Sequence, residues 1–347
     1  MVMPCATAGH QTKPNPHPIN IAWIVMFRAR PINLTSHVSD ISSMRFINYR
    51  NIFATTDIDE LHGIYCWNEE LAAKMMHLIG MIEVTLRNRI HYALSEFFHT
   101  NQATYCAVPV SGTSDSCNWY DHIYLKPGGK LHKSISGLKK DQQGNLLNPP
   151  PLPHKVISQL ENGKWAHILK LNKSHNGTVI PWEDIFPVIF PATSDSLSDF
   201  AQDKTNRNRV VNRLHRVNKL RNRCAHFEPV WKFGNLLSEY NNSQVKPAPT
   251  NARSTLARMQ TEYRCLTELL EWLSPDMANY WMSTRTHKEL TFLMQSAGLE
   301  NFRNASAVKT MSLSRMGRAH NVKALIRKQE SVLLTDKGKV VGRFHPY

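Results

Sequence analysis

The sequence predicts an all-α fold: a helical bundle with a loop-rich insertion and a basic C-terminal extension. Three stretches, residues 67–98, 195–227 and 254–273, carry apolar residues at every third or fourth position, which is the spacing of one helix face. The first two are separated by turn compositions such as SGTSDS, KPGG and NPPPLP. With 347 residues, 41% of them hydrophobic, the chain is long enough to bury a core.

The N-terminal half divides into three parts. Residues 1–60 have several prolines and weak periodicity, so we expect an irregular segment there. The first helix follows, and because it is long for a globular protein it either breaks near Gly80 or continues through it. It begins a helical core over residues 61–100 and 154–275, interrupted by the insertion at 101–153. Within the insertion, NWYDHIYL and KLHKSISGLKK are candidates for short strands, and the segment is either an RNA-contacting flap or a tolerated addition.

The C-terminal half has clear stop signals. The second helix should end near His226, because Pro229 disfavours helical conformation at Glu228. The third should end at Ser274-Pro275. Residues 276–347 are expected to form a C-terminal helix and a basic extension, with ten Lys and Arg against two acids from residue 301 onward. There, VLLTDKGKVVGRF suggests a hairpin, and the extension is either a solvated tail or a clamp on nucleic acid.

The overall charge indicates the class of partner. Lys and Arg outnumber Asp and Glu by 42 to 27, giving a net charge of +15, which favours polyanions such as nucleic acid. No apolar run is long enough to span a bilayer, and no signal peptide is evident. The six cysteines form no C-x-x-C pair and no zinc-spaced cluster, so a reducing, cytoplasmic setting without metal or cofactor is expected.

The second helix is strongly basic. Eight Lys and Arg occur between residues 204 and 223, and no acid follows until Glu228. A charge run is usually a solvated helix face, but uncompensated positive charge at this density favours a surface that meets phosphates. The residues expected to contact RNA are Arg207, Arg209, Arg213, Arg216, Lys219 and Arg223.

An R-x4-H pattern closes this helix at Arg221 and His226. About one such pair is expected by chance from the composition, and the chain has two, the other being Arg315 and His320 in a polar stretch. Asn222 and His226 share a helix face, whereas Arg221 lies about 140° away from His226. The pair could meet through a distorted helix end, through the reach of Arg221, or through a second copy of the motif in a symmetric dimer.

Arginine and histidine without a metal suit RNA cleavage, because RNA carries its own nucleophile in the 2′-OH. His226 would transfer protons, Arg221 would stabilise the charge on the phosphate, and Asn222 would orient the imidazole or contact the phosphate. The competing class is a non-catalytic RNA-binding protein that uses the same basic helix. A membrane-surface protein is a weaker alternative, because no basic amphipathic anchor or lipidation motif is present.

The stretch LRNRCAHFEPVW resembles the signature of Abi-like (abortive infection, AbiD/AbiF-type) proteins, a branch of the HEPN superfamily of helical ribonucleases. IEVTLRNRI, LENGKWAHIL and LLEWLSP are similar to further segments of that family, giving a resemblance over residues 65–100 and 155–275. The threonine-phenylalanine pair usual before the Gly-Trp segment is absent. The resemblance implies a metal-independent endoribonuclease with a composite site across a homodimer, acting in phage defence or as a toxin, and in some members encoded beside a structured small RNA.

The first LRNR copy, at residues 86–89, would support the site rather than duplicate it. Glu83 and Arg87 stand four residues apart as a helix pair. They are either a surface salt bridge or, with Asn88, a buttress for the catalytic helix; Glu228 of the HFEP segment belongs to the same supporting set. His91 lies outside the family pattern and is not expected to act.

Overall fold

The computed structural model describes residues 31–192, 204–303, 310–328 and 332–344. They fall into two compact units, a larger one over residues 30–307 and a smaller one that includes residues 308–346. Helices make up most of the described residues, which confirms the all-α class. Residues 1–30 of the expected N-terminal segment, and the expected start of the second helix at 195–203, lie outside the described residues.

Two short helices open the larger unit: α1 (Leu34–Ile41) and α2 (Ser43–Phe53). The prediction of an irregular segment is therefore wrong for residues 34–53. Phe46, Tyr49 and Phe53 are all buried, and they recur at intervals of three and four residues. The two helices are so short that their periodicity is weak in the sequence, and it is burial of these rings that stabilises α2.

Helix α3 (Ile58–Thr100) is the longest element of the larger unit, with 43 residues. It begins where the side chain of Asp57 accepts hydrogen bonds from the backbone N–H groups of Asp59 and Glu60. The predicted helix at 67–98 is confirmed and extended at both ends. It runs through Gly80 without a break, because the buried apolar residues on either side outweigh the roughly 1 kcal/mol that an interior glycine costs.

The insertion is more ordered than its composition predicts. It contains α4 (Gln102–Tyr105), a 3₁₀ turn (Trp119–Asp121) and α5 (Lys130–Leu138). Neither expected strand forms: KLHKSISGLKK is helical, since its apolar residues recur at helical spacing, and NWYDHIYL forms the 3₁₀ turn and one isolated bridge, Ile123 to Ser174. The aromatic residues of NWYDHIYL are largely buried and anchor the insertion to α3.

The remaining helices of the larger unit complete the bundle. They are α6 (Pro153–Ser158), α7 (Gly163–Ile168), α8 (Trp182–Ile189), α9 (Lys204–Ala225), α10 (Ala252–Leu273), α11 (Pro275–Ser283), α12 (Arg285–Leu293) and α13 (Ser296–Arg303). Helices α6, α8, α9, α10, α12 and α13 pack directly on α3, while α7 packs on α9. The predicted helix at 254–273 is confirmed as α10, whose capping side chain is that of Asn251.

Helix α13 approaches α3 very closely. A Cβ atom on Gly63 of α3 would lie 2.0 Å from the carbonyl oxygen of Phe302, so glycine is required for the two backbones to meet. The larger unit therefore continues to residue 303 rather than ending at 275, the expected end of the core. A short hairpin, β1 (Leu236–Leu237) with β2 (Gln244–Lys246), connects α9 to α10.

The smaller unit is built on a three-stranded sheet of β3 (Thr310–Ser312), β4 (Val332–Asp336) and β5 (Lys339–Phe344), in that order. Strands β3 and β4 are parallel, and β4 and β5 form the predicted hairpin, which is confirmed. Two helices, α14 (Leu313–Met316) and α15 (Ala319–Lys328), connect β3 to β4. Among the described residues of this unit, Met316, Leu325, Val332 and Leu334 form a cluster of buried apolar side chains.

No helix among the described residues of either unit combines the length and the apolar character that crossing a membrane requires.

Candidate active site

Helix α9 ends at Ala225, as its stop signals predict. The backbone N–H of His226 still bonds to the carbonyl of Asn222 at 2.9 Å, and Phe227 then adopts a left-handed conformation with φ 53°. The N–H of Glu228 bonds back to the carbonyl of Arg223 at 2.9 Å, which closes the helix in a Schellman-type turn. His226 is thus the C-cap residue, with its side chain exposed beyond the last helical turn.

Two side chains from α2 and α3 hold the turn after His226. Arg45 donates a hydrogen bond of 2.9 Å to the carbonyl of Phe227. The side chain of Asn68, which is buried in α3, accepts a bond of 2.9 Å from the N–H of Val230 and approaches the carbonyl of Glu228 at 3.5 Å. Neither residue was expected at the site; an asparagine on the buried face of an amphipathic helix was the one available signal for Asn68.

An aromatic cluster fixes the chain just beyond this turn. Trp231 is buried, and its ring meets Tyr49 and Phe53 of α2 edge to face at centroid distances of 4.9 and 5.0 Å. The tryptophan of the FEPVW segment therefore anchors the end of α9 to α2, and the position of His226 depends on this packing.

The three residues expected to be catalytic lie at the end of α9. Arg221 points towards α3, where its Nε donates to Oε1 of Glu83 at 3.3 Å, and its side chain is 36% exposed. Asn222 and His226 are exposed. The structure therefore brings Arg221 to Glu83, and at 100° per residue the position of His226 lies about 140° round the helix from that of Arg221.

The supporting residues are arranged differently from the expected helix pair. The carboxylate of Glu83 binds Arg221 of α9, while Arg87 donates to the carbonyl of Ser158 at 3.3 Å. Asn88 and Glu228 are exposed. Glu83 thus acts between helices, which agrees with a buttress rather than with a surface pair on α3.

The sequence model of the Abi-like protein family matches residues 34–232. The chain belongs to the Abi-like protein family. The match begins with α1, includes the insertion and α9, and ends directly after Trp231. It therefore covers the turn after His226 and every residue that holds it. No curated protein and no solved structure matches the chain. Membership of this family supports a role in abortive infection, a form of phage defence.

The basic helix of this Abi-like protein is largely neutralised from within. Glu239, which follows β1, binds Arg213 through Nη2 at 2.7 Å and Arg216 through Nη1 at 2.8 Å, and it lies 3.8 Å from Arg209. Two glutamates of α10 complete the network: Glu268 lies 3.0 Å from Arg213, and Glu262 lies 2.7 Å from Arg216. The expectation that Arg209, Arg213 and Arg216 contact RNA stays a prediction, and in the folded chain acids distant in sequence already bind their guanidinium groups.

Arg213 is the most deeply placed member of the network, with 3% exposure. Its guanidinium lies over the ring of Trp272 at 4.1 Å. Burial is the largest single effect and would lower the pKa of Arg213, but the hydrogen bonds to Glu239 and the charges of Glu239, Cys265 and Glu268 together outweigh it and raise that pKa. The charge is therefore retained and serves the packing of α9 against α10.

The other three expected RNA contacts have mixed environments. Arg207 donates to the side chain of Asn172 at 2.8 Å and is half-buried. Arg223 is half-buried beside the ring of Phe233, 6.0 Å from its centroid. Lys219 is exposed, and of the six residues expected to contact RNA it has the most open side chain.

His91 of the first LRNR copy has a structural role in the Abi-like fold. It is buried, and its Nδ1 accepts a hydrogen bond of 2.9 Å from the indole N–H of Trp119. Nε2 must then carry the proton, and it lies 2.9 Å from Oγ of Ser116. Burial lowers the pKa of His91 to about 4. This histidine fastens the insertion to α3, and the sequence expectation that it lies outside the site agrees with its position.

The second R-x4-H pair has no shared element. Arg315 belongs to α14 and His320 to α15, so a chain reversal separates them, and both are exposed. Among the described residues, no three His, Cys, Asp or Glu side chains come together as the ligands of a metal ion would.

Proposed function

We propose that this Abi-like protein is a HEPN-type, AbiD/AbiF-like endoribonuclease that cleaves RNA in the cytoplasm without a metal ion during abortive infection. The observation that carries the proposal is the end of α9. Arg221 is held by Glu83 at 3.3 Å, and His226 is the exposed C-cap of the same helix. An imidazole and a guanidinium are the two groups that cleavage through the 2′-OH needs.

The reaction follows from the two side chains. His226 removes the proton of the 2′-OH, and the 2′-oxygen attacks the adjacent phosphorus. The bond from phosphorus to the 5′-oxygen breaks, a protonated imidazole supplies a proton to that leaving oxygen, and the products are a 2′,3′-cyclic phosphate and a 5′-hydroxyl. Arg221 stabilises the charge that builds on the phosphate, and Asn222 orients the imidazole or binds the phosphate.

Glu83 would position Arg221 without removing it from the reaction. The bond to Glu83 uses Nε, and a guanidinium has five N–H donors in all, so the group can bind a carboxylate along one edge and a phosphate along another. Because the positions of Arg221 and His226 lie about 140° apart round α9, we propose that the complete site joins two copies of the motif across a homodimer.

The direct test is cleavage of single-stranded RNA by purified variants. His226→Ala and Arg221→Ala are expected to lower the rate by about 10²- to 10⁴-fold, the usual range for a lost proton-transfer group or phosphate ligand. His320→Ala, which removes the histidine of the second R-x4-H pair, is the matched control and should cleave at the wild-type rate. Wild-type cleavage should persist in EDTA. Equal rates for all proteins, or loss of activity in EDTA, would contradict the proposal.

Two further measurements separate the alternatives. Mixing the inactive Arg221→Ala protein with the inactive His226→Ala protein should restore activity if each copy supplies part of a composite site. If the mixture stays inactive and the protein has the mass of a monomer in solution, the dimer is refuted. Binding of RNA without cleavage over a range of substrates would favour the non-catalytic RNA-binding protein. A structured small RNA as regulator is also proposed, and its co-purification with the intact protein tests that proposal.

A further inference from the structure

One side of α9 carries no arginine and leads to His226. At 100° per residue, Lys219, Asn222 and His226 all lie within about 40° of the direction of His215. Lys219, Asn222 and His226 are exposed, and His215 is half-buried. The arginines of the internal network lie about 100–160° round the helix from His215. Helix α9 therefore has a neutralised arginine side and an open side, which we call the His–Lys side.

Helix α7 extends the His–Lys side. The imidazole of His167 lies 5.6 Å from that of His215, centroid to centroid, in an edge-to-face arrangement. The helices can approach because residue 163 is glycine: a Cβ there would lie 3.2 Å from the side-chain nitrogen of Asn218. The histidines are thus placed side by side by close packing of two helices, and the polar amide of Asn218 lies at their junction.

Lysines surround the two imidazoles. For His167, burial lowers the pKa first, followed by the charges of Lys170, Lys164 and Lys130. For His215, burial is again the largest cause, followed by Lys170, His167 and Lys219. The lysines are therefore close enough to act on both rings, and the region carries a positive field.

Few acids oppose this field. Glu161 lies 3.4 Å from Lys164, but its side chain is 80% exposed, where an ion pair contributes little. Glu239 borders a neighbouring cavity but is bound by the α9 arginines. That cavity, of about 310 Å³, lies between α9 and the β1–β2 hairpin, and its lining includes His215, Asn218 and Lys219 of α9 together with Arg216 and Glu239.

We propose that the RNA strand lies along the His–Lys side of α9, with its phosphates on Lys170, Lys219 and the His167–His215 pair, and that it reaches the cleavage site at Asn222 and His226. This inference rests on the proposed function and names the path of its substrate. From His215 to His226 the helix rises about 16 Å, which is long enough to meet more than one phosphate of the strand.

The two histidines make RNA binding dependent on pH. The lysines that face them are Lys130 of α5, Lys164 of α7, Lys170 just after α7 and Lys219 of α9. The nearby acids are Glu161 and Glu239. Phosphates would neutralise the lysines and favour the imidazolium form, so binding takes up protons and affinity increases as the pH falls from neutral towards 5.5.

The test is RNA binding in the His226→Ala background, in which cleavage is absent on the proposed mechanism. The probe is a fluorescent oligouridylate titrated at several salt concentrations. Lys170→Ala/Lys219→Ala should lower the slope of log affinity against log salt by about 1.4, or about 0.7 for each lost phosphate contact. That change corresponds to roughly 25-fold weaker binding at 0.1 M salt. The control is Arg253→Ala/Lys288→Ala, which removes two exposed charges from α10 and α12.

A second double variant tests the two histidines. His167→Gln/His215→Gln should flatten the increase of affinity between pH 7 and pH 5.5 while the protein remains folded. If the lysine variant and its control bind with equal slope and affinity, the path is wrong. If the lysine variant weakens RNA binding but the wild-type protein cleaves no RNA, the proposed RNA path is supported and the proposed nuclease function is wrong. The two proposals can therefore fail separately.

Discussion

Replacing Glu239 with glutamine removes the carboxylate that three arginines of α9 share while keeping nearly the same shape. In the folded protein this carboxylate lies 2.7 Å from Arg213, 2.8 Å from Arg216 and 3.8 Å from Arg209. The amide has half the acceptor capacity and no charge. The variant therefore tests whether the basic side of α9 depends on acids supplied by the rest of the larger unit.

The magnitude follows from burial. Removing one partner of a buried ion pair costs about 3–5 kcal/mol, because the remaining charge is left uncompensated. Arg213 is 3% exposed, but it keeps Glu268 at 3.0 Å, and Arg216 keeps Glu262 at 2.7 Å. We therefore expect the lower end, a loss of about 3 kcal/mol in the free energy of unfolding. For a unit of this size, that loss lowers Tm by roughly 5 °C.

The assay is thermal and urea unfolding of the full chain, followed by circular dichroism. Glu271→Gln on the exposed side of α10 is the matched control and should change the free energy of unfolding by less than about 0.5 kcal/mol. In a double-mutant cycle, Glu239→Gln should couple to Arg213→Met by about 0.5–3 kcal/mol. A loss for Glu239→Gln no larger than that of its control would show that the arginines are solvated and would refute the reasoning.

Two further predictions concern the packing on α3. Because burial lowers the pKa of His91 to about 4, below the value of about 6.5 for the unfolded chain, the neutral imidazole stabilises the fold fully above pH 6.5, and this stabilisation is lost as the pH falls towards 4. His91→Gln should remove up to about 3 kcal/mol of that pH dependence in unfolding experiments, and an unchanged pH profile would contradict it. Gly63→Ala places a Cβ 2.0 Å from the carbonyl of Phe302, so we expect a loss of about 1–3 kcal/mol from overpacking. Gly80→Ala, where a Cβ meets no atom within 4 Å, should instead be neutral or stabilising, and equal behaviour of the two variants would be the contrary result.

Local signals in the sequence were sufficient for some elements. Pro229 placed the end of α9 near His226, and the helix ends at Ala225. The periodicity of residues 254–273 placed α10 to within two residues. The hairpin of the smaller unit followed from its turn residues. Where a proline, a glycine turn or a long apolar stripe determines the backbone, the neighbouring residues alone are informative.

The charge pattern could not be interpreted in the same way. No acid interrupts the basic residues along α9, yet Glu239 and Glu268 bind Arg213 from 26 and 55 residues away. The turn after His226 likewise depends on Asn68, 162 residues before Val230. Such contacts depend on how the helices pack against one another, and the spacing of charges along one helix carries no information about that packing. The same holds for Glu83, which the sequence pairs with Arg87 four residues on and which the structure pairs with Arg221 of α9.

The length of α3 has a consequence for how the chain is made. The indole N–H of Trp67 bonds to the carbonyl of Leu293, a partner 226 residues further along the chain. At typical synthesis rates of about 5–20 residues per second, α3 leaves the ribosome roughly 11–45 s before α12 and α13 exist to cover it. Its apolar stripe would be exposed to solvent and to other nascent chains during that interval. Newly made protein should therefore depend on chaperones, and truncation before residue 293 should yield an aggregating product.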